Sequence, residues 1–331
     1  MITGLHLLAA GGVHDLLAAG GVRDLLTSGS VHAGWNPWSD MRQMLAYHFM
    51  VNALRAGSIT AVAAGLIGWF MILRGQSFAG HTLAVVGFPG AAAAIWAGLA
   101  ATWGYFGACT AAAILIGSTG YRRPGGEAAG ESALIGTVQA FALACGLLFV
   151  ALYKGFLNSL TGLLFGSFLG VTDSQVLALL AMAGIIVVVL GVIGRPLLFA
   201  SVDPDVARAR GVPAQFVSAA FLVLLGVATA EVSQITGSLL VFALLVMPAA
   251  TAHRITPRPV LGLALSVAVA LLVVWIGLGL AFYSVYPVGF YITTTGLVCY
   301  LGSAAARRAA TRRRAATRRR ASRPDPSGLS S

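Results

Sequence analysis

From Met44 onward the chain alternates between long apolar runs and short polar breaks, and it nowhere settles into the two-residue alternation of a half-buried strand. A run of about 20 apolar residues is enough to cross a bilayer as a helix. Runs of this kind predict spans at 44–73, 83–101, 104–119, 133–153, 174–194, 215–232, 236–252, 260–282 and 287–305. The count is about nine, becoming eight or ten if short runs merge or if residues 155–172 form a re-entrant or interfacial segment. Backbone polar groups in lipid must be satisfied within each segment, so the expected fold is all-α, a polytopic transmembrane helical bundle. Gly-rich stretches such as Gly57–Gly68 and Gly87–Gly98 permit the close helix approach that holds such bundles together.

Both ends break the pattern. In residues 1–43, Gly11-Gly12-Val13-His14-Asp15-Leu16-Leu17 recurs nine residues later as Gly20-Gly21-Val22-Arg23-Asp24-Leu25-Leu26, with a degraded third copy at Gly29-Ser30-Val31-His32. So few copies cannot stack into a solenoid, and the stretch reads as a weakly structured leader. The duplication also accounts for His14 and His32 without a metal. Residues 306–331 are rich in arginine and predict a disordered tail, because clustered like charges repel and no apolar face is present. The transmembrane domain is the stretch 44–305 between them.

Charged residues make up only 9% of the chain and hydrophobic ones 58%, against about 25% charged in an ordinary soluble domain. Such a chain needs lipid as its solvent. The net charge of +11 suggests nucleic acid until it is located: nine of the 21 basic residues lie between Arg307 and Arg323. With the N-terminus outside, the cytoplasmic breaks hold Arg74, Arg122, Arg123, Arg195, Arg208, Arg210, Arg254 and Arg258, and the tail follows them. Outside lie only Arg23, Arg42 and Lys154. This is the direction of the positive-inside rule, so the basic excess reports topology and contact with membrane lipid, not a nucleic-acid partner. The expected location is the cytoplasmic membrane, multi-pass, with the C-terminus in the cytoplasm. Cys109, Cys145 and Cys299 are far apart in apolar runs and read as packing.

One break is long. In Ser201-Val202-Asp203-Pro204-Asp205-Val206-Ala207-Arg208-Ala209-Arg210-Gly211-Val212-Pro213, Asp203 can cap a short helix that Pro204 opens. Gly211 can close it in a left-handed turn, and Pro213 prevents its resumption. A short helix capped at both ends, between two spans, predicts a rigid docking element for a cytoplasmic partner.

The stretch from Ser233 to Arg254, containing Gly237-Ser238-Leu239-Leu240-Val241-Phe242-Ala243-Leu244-Leu245-Val246-Met247-Pro248-Ala249-Ala250-Thr251-Ala252, closely resembles the signature of the ABC-3 permeases, which import zinc, manganese or iron. Asp203–Val212 resembles that family's D-x-x-x-A-x-x-x-G-V loop, Phe165–Thr172 its F-G-x-L-L-x-V-T segment, and Leu73–Gly80 the stretch that ends its first span. Four motifs in order over residues 47–303 make the resemblance specific. It implies a permease subunit that homodimerises around a central path, with a separate cytoplasmic ATP-binding subunit and an extracytoplasmic solute-binding protein. It also implies that Asp203, Asp205, Ala207, Gly211 and Val212 dock on the ATPase. The chain itself is expected to be a transport subunit and not an enzyme, with no cofactor of its own: no G-x-x-x-x-G-K-[ST] occurs in the sequence.

The sequence departs from the family where a metal would bind. The family typically reads G-D-x-L-x-H-A after its first span, pairing an acidic residue and a histidine one turn apart. Here His81 stands at the acidic place and Val85 at the histidine place. A neutral His can still ligate zinc, whereas a carboxylate-poor path suits manganese badly, so zinc is the expected cargo with manganese or iron behind it. His81 is therefore the candidate metal ligand. His48 and Asn52, with Arg55, share one face of the first span, and Met247 precedes Pro248 within a later one; these are candidates for the pathway. Glu231 and Gln234 are expected in a solvated outer turn. The rival readings are a proton- or sodium-coupled secondary transporter, which needs acidic residues within the spans, and an ABC-type membrane subunit with a non-metal substrate or an anchoring role.

Overall fold

The computed structural model describes residues 42–321, apart from 121–127, 153–161 and the single positions 167, 169, 212, 239 and 285. Two units separate, Met1–Leu45 and Ala46–Ser331, and every helix named below belongs to the second. The first-unit repeat with His14 and His32 lies outside the described residues. In order the helices are α1 (His48–Leu73), α2 (Ser77–Trp96), α3 (Ala101–Gly120), α4 (Ala128–Leu152), α5 (Asp173–Val202), α6 (Pro204–Ala209), α7 (Ala214–Thr236), α8 (Val241–Ile255), α9 (Pro259–Phe282) and α10 (Val288–Ala321). Among the described residues there is no strand. Among the described residues seven helices are long and apolar enough to cross a membrane, while α8 is a shorter apolar helix of 15 residues. Each expected span has a helix at its place, and seven of these helices among the described residues are spans by length and composition, against about nine expected.

α1 and α7 form the interior, and most of the apolar window of each is buried. α9 packs along α1, where Ser266 donates from Oγ to the Gly65 carbonyl at 2.8 Å. α2 lies on α3, where Gly90 and Gly104 bring the two backbones so close that a Cβ on either would collide with the other's carbonyl oxygen. α4 and α5 are different: only 11% and 22% of their apolar windows are buried, so most of their surface faces lipid or a further chain.

Two elements differ from expectation. α7 runs to Thr236, beyond the expected end at residue 232. Its polar last turns stay helical because Ser233 and Thr236 return their hydroxyls to the carbonyls of Thr229 and Val232, at 2.7 and 2.9 Å. Gly237, at φ 75°, then ends the helix. α10 continues through Ala321, so the segment from residue 306 that is expected to be disordered is helical as far as that residue. Ala and Arg are strong helix formers, and extending a helix already nucleated in the membrane costs little.

Candidate functional site

At one end of the bundle the long break folds as the capped helix α6. The Asp203 carboxylate Oδ1 accepts from the Val206 N–H at 3.0 Å, and Pro204 opens the helix. Ala207 is buried in a small cluster with Ala200 of α5 and Ala214 of α7, which seats the helix between the spans it connects. Gly211 has φ 75° with open space around it, as a left-handed terminator requires. Val206 and Arg210 face outward and are exposed. The side chain of Asp205, and Val212 altogether, lie outside the described residues.

The same end holds Arg74, the C-cap of α1. It reaches Ser201 at 3.1 Å, Gln76 at 3.2 Å and Ser218 through separate guanidinium nitrogens. His253 of α8 bonds the Trp69 carbonyl at 3.0 Å and stacks on the Trp69 ring. Arg254 donates to the Tyr300 hydroxyl of α10.

The opposite end carries His48 and Asn52. The exposed His48 Nε2 lies 3.3 Å from Asp173 Oδ2, and Asn52 donates to the Val171 carbonyl at 3.3 Å. Both therefore tie the start of α1 to the start of α5, where Thr172 and Gln175 form a capping box. Asn52 Oδ1 is buried without a partner. Arg55 is exposed. Nearby, the two family-like motifs meet: Gly166 and Gly237, both at positive φ, lie backbone to backbone, and Ser238 N–H donates to the Leu163 carbonyl at 3.2 Å. Only glycine fits both the conformation and the space there.

Within the bundle, His81 and Val85 are half-buried on one face of α2, between buried neighbours. The His81 ring meets Phe242 of α8 edge-on, with centroids 4.8 Å apart. Its Nδ1 is buried with no hydrogen-bond partner, so one ring nitrogen keeps a lone pair or proton uncommitted to the protein. Met247 lies against Gly296 of α10, where a Cβ would meet its sulfur, which is a packing contact. No group of three or more His, Cys, Asp or Glu side chains comes together among the described residues.

Glu231 corrects an expectation. It does not sit in a solvated turn but within α7, fully buried, and neither carboxylate oxygen has a hydrogen-bond partner. Glu231 falls at the very end of the expected span 215–232, which the structure extends by a further turn to Thr236. The available signal was the Ser/Thr spacing at Thr229, Ser233 and Thr236, which lets polar residues remain helical.

A polytopic helical bundle with a double-capped helix wedged between two spans defines a multi-pass α-helical membrane protein. Residues 46–307 match the ABC 3 transport family; the chain belongs to that family and is a permease subunit of an ABC transporter. It is 30% identical to the manganese transport system membrane protein MntC of Halalkalibacterium halodurans, over 65% of this chain and 73% of that protein. It is 28% identical to the chelated iron transport system membrane protein YfeC of Yersinia pestis, over 78% of this chain and 86% of that one. Among solved structures, PsaBC from Streptococcus pneumoniae in complex with Fab superposes with a TM-score of 0.70 at 26% identity, covering 80% of this chain and 94% of that chain.

Proposed function

We propose that the chain is the membrane-spanning half of an ATP-driven importer of a divalent metal ion, working as a homodimer with a cytoplasmic ATPase beneath and a solute-binding protein outside. The observation that carries this reading is α6, rigidly seated through Ala207 and capped by Asp203 and Gly211, with Val206 and Arg210 free to meet a partner. In this reading the α6 end is cytoplasmic. Closure of the ATPases pushes α6, and the two bundles rock to alternate access to the path between them. The sparse burial of α5 within one chain leaves an apolar face for the second copy.

The cargo follows from the donors. His81, with Nδ1 uncommitted, supplies one imidazole nitrogen per protomer, and symmetry supplies two across a central path. Nitrogen ligands suit zinc better than manganese. The relatives named for manganese and iron support metal import as the class. We infer zinc on the strength of His81, which stands where the family has an acidic residue and so leaves the path without that carboxylate. The test is uptake of labelled zinc and manganese by proteoliposomes containing the permease, its ATPase and its binding protein. Uptake of manganese without zinc sinks the zinc assignment, and uptake of neither sinks the metal reading.

A further inference from the structure

Arg74 has more partners than a basic residue at the end of a span needs. An arginine serving only as a topology signal reaches out to headgroups and water. Arg74 instead turns inward. Its Nη1 donates to Ser201 Oγ at 3.1 Å, its Nη2 to Ser218 Oγ, and its Nε to Gln76 Oε1 at 3.2 Å. The guanidinium carbon lies 5.7 Å from the centre of the Phe221 ring.

The location of these partners gives the contacts their meaning. Ser201 is in the last turn of α5, two residues before the Asp203 cap of α6. Ser218 is buried early in α7, on the far side of α6 in the chain. Ala200, Ala207 and Ala214 already join α6 to those same two helix ends. Arg74, at the C-cap of α1, therefore holds both anchors of α6 with one rigid side chain and fastens them to the first span. The Ser201 hydroxyl is itself committed, donating to the Leu197 carbonyl at 2.5 Å, so it presents its lone pairs to Arg74 in a fixed direction.

We propose that Arg74 is the positioning residue that transmits movement of α6 to α1, a clasp between the docking helix and the core of the bundle. The proposal rests on the reading of α6 as the ATPase-docking element. Without the clasp, the end of α1 loses its direct polar tie to the two anchors of α6 and follows α5 and α7 only through packing. The planar fork spreads its donors at fixed angles across two hydroxyls on two helices and an amide, a reach that the compact ammonium of lysine does not reproduce.

The test is the number of ATP molecules hydrolysed per metal ion imported, measured on the whole reconstituted complex with zinc or manganese as cargo. Arg74→Gln and Arg74→Lys are expected to co-purify with the ATPase and to hydrolyse ATP, while import falls about ten-fold or more, as loss of two charge-assisted hydrogen bonds predicts. The double variant Ser201→Ala, Ser218→Ala removes the acceptors but leaves the arginine. It is expected to raise the ratio in the same way, and it keeps the proposal testable should the Arg74 variants fail to accumulate. Parent-like coupling in the double variant overturns the clasp. So does loss of the ATPase from either set of variants, because the clasp transmits the push and does not form the docking face. Val206→Asp, on the exposed side of α6, tests the underlying reading separately. If it releases the ATPase while the clasp variants couple normally, only the clasp is wrong; if it retains both the ATPase and normal import, α6 is not the docking element.

Discussion

Glu231 lies inside α7 with no exposure and two unpartnered oxygens. In either protonation state it leaves polar atoms unsatisfied, at a cost of about 1–3 kcal/mol. Replacing it by an apolar side chain of similar length removes that cost. Glu231→Leu is expected to gain about 1–3 kcal/mol of stability, read as a higher melting temperature in detergent, whereas Glu231→Gln stays near the parent. A lower melting temperature for the leucine variant would show that the carboxyl has a partner in the working assembly. His81 is the opposite case: its Nδ1 is buried without a partner, and the proposed function gives that nitrogen to the cargo. His81→Ala is expected to reduce zinc uptake about ten-fold or more with the amount of protein in the membrane unchanged, the loss of one charge-assisted contact per protomer. Adding Val85→His to the parent places a second imidazole one turn along the same half-buried face of α2, and uptake is expected to hold or rise. Undiminished zinc uptake by His81→Ala makes the residue structural.

Among the elements, the joint of Gly166 and Gly237 joins the segment before α5 to the turn between α7 and α8, and neither position has room for a Cβ. Gly237→Val adds a β-branched side chain at φ 75°, a conformation costing roughly 1–3 kcal/mol before the clash with the Leu164 carbonyl is counted. Protein yield and melting temperature should both fall, while Gly107→Val on α3, where nothing lies within 4 Å of the added Cβ, should be tolerated. That joint also marks where sequence reasoning stops. Hydropathy locates a helix for every long apolar run, since length and apolarity are local properties, and the caps at Asp203 and Gly211 are equally local. Helix ends inside polar segments are not local. α7 keeps Glu231 helical through back-bonded hydroxyls, and α10 carries its arginines onward because nothing between Gly302 and Ala321 breaks it. The placement of His48, Asn52 and Met247 depended on which neighbours they would meet. His48 and Asn52 join α1 to α5 and Met247 packs on α10, pairings that periodicity along one helix cannot supply.

For the whole molecule, the distribution of charge and the chain of contacts make one argument about orientation. Arg74 joins α1 to Ser201 beside α6, His253 of α8 bonds the Trp69 carbonyl near the same end of α1, and Arg254 bonds Tyr300 of α10. Tyr300 lies nine residues before Ala309, where the apolar window of α10 closes, so the basic end of α10 emerges on the side of the bundle that carries α6. A helix of 34 residues is about 51 Å long at 1.5 Å per residue, longer than the ~30 Å hydrocarbon core, so its arginine-rich end stands clear of the lipid tails. A basic residue near an anionic cytoplasmic leaflet gains about 1 kcal/mol, and the nine between Arg307 and Arg323 make the opposite orientation costly. A reporter fused after Ser331 is therefore expected to be active only in the cytoplasm, and trypsin should remove the end of α10 from inside-out vesicles but not from right-side-out ones. Cleavage from the outside would move α6 to the outside with it, since the contacts above place both at one end, and no cytoplasmic ATPase could then dock there. The orientation of a single terminus thus tests both the topology and the coupling reading.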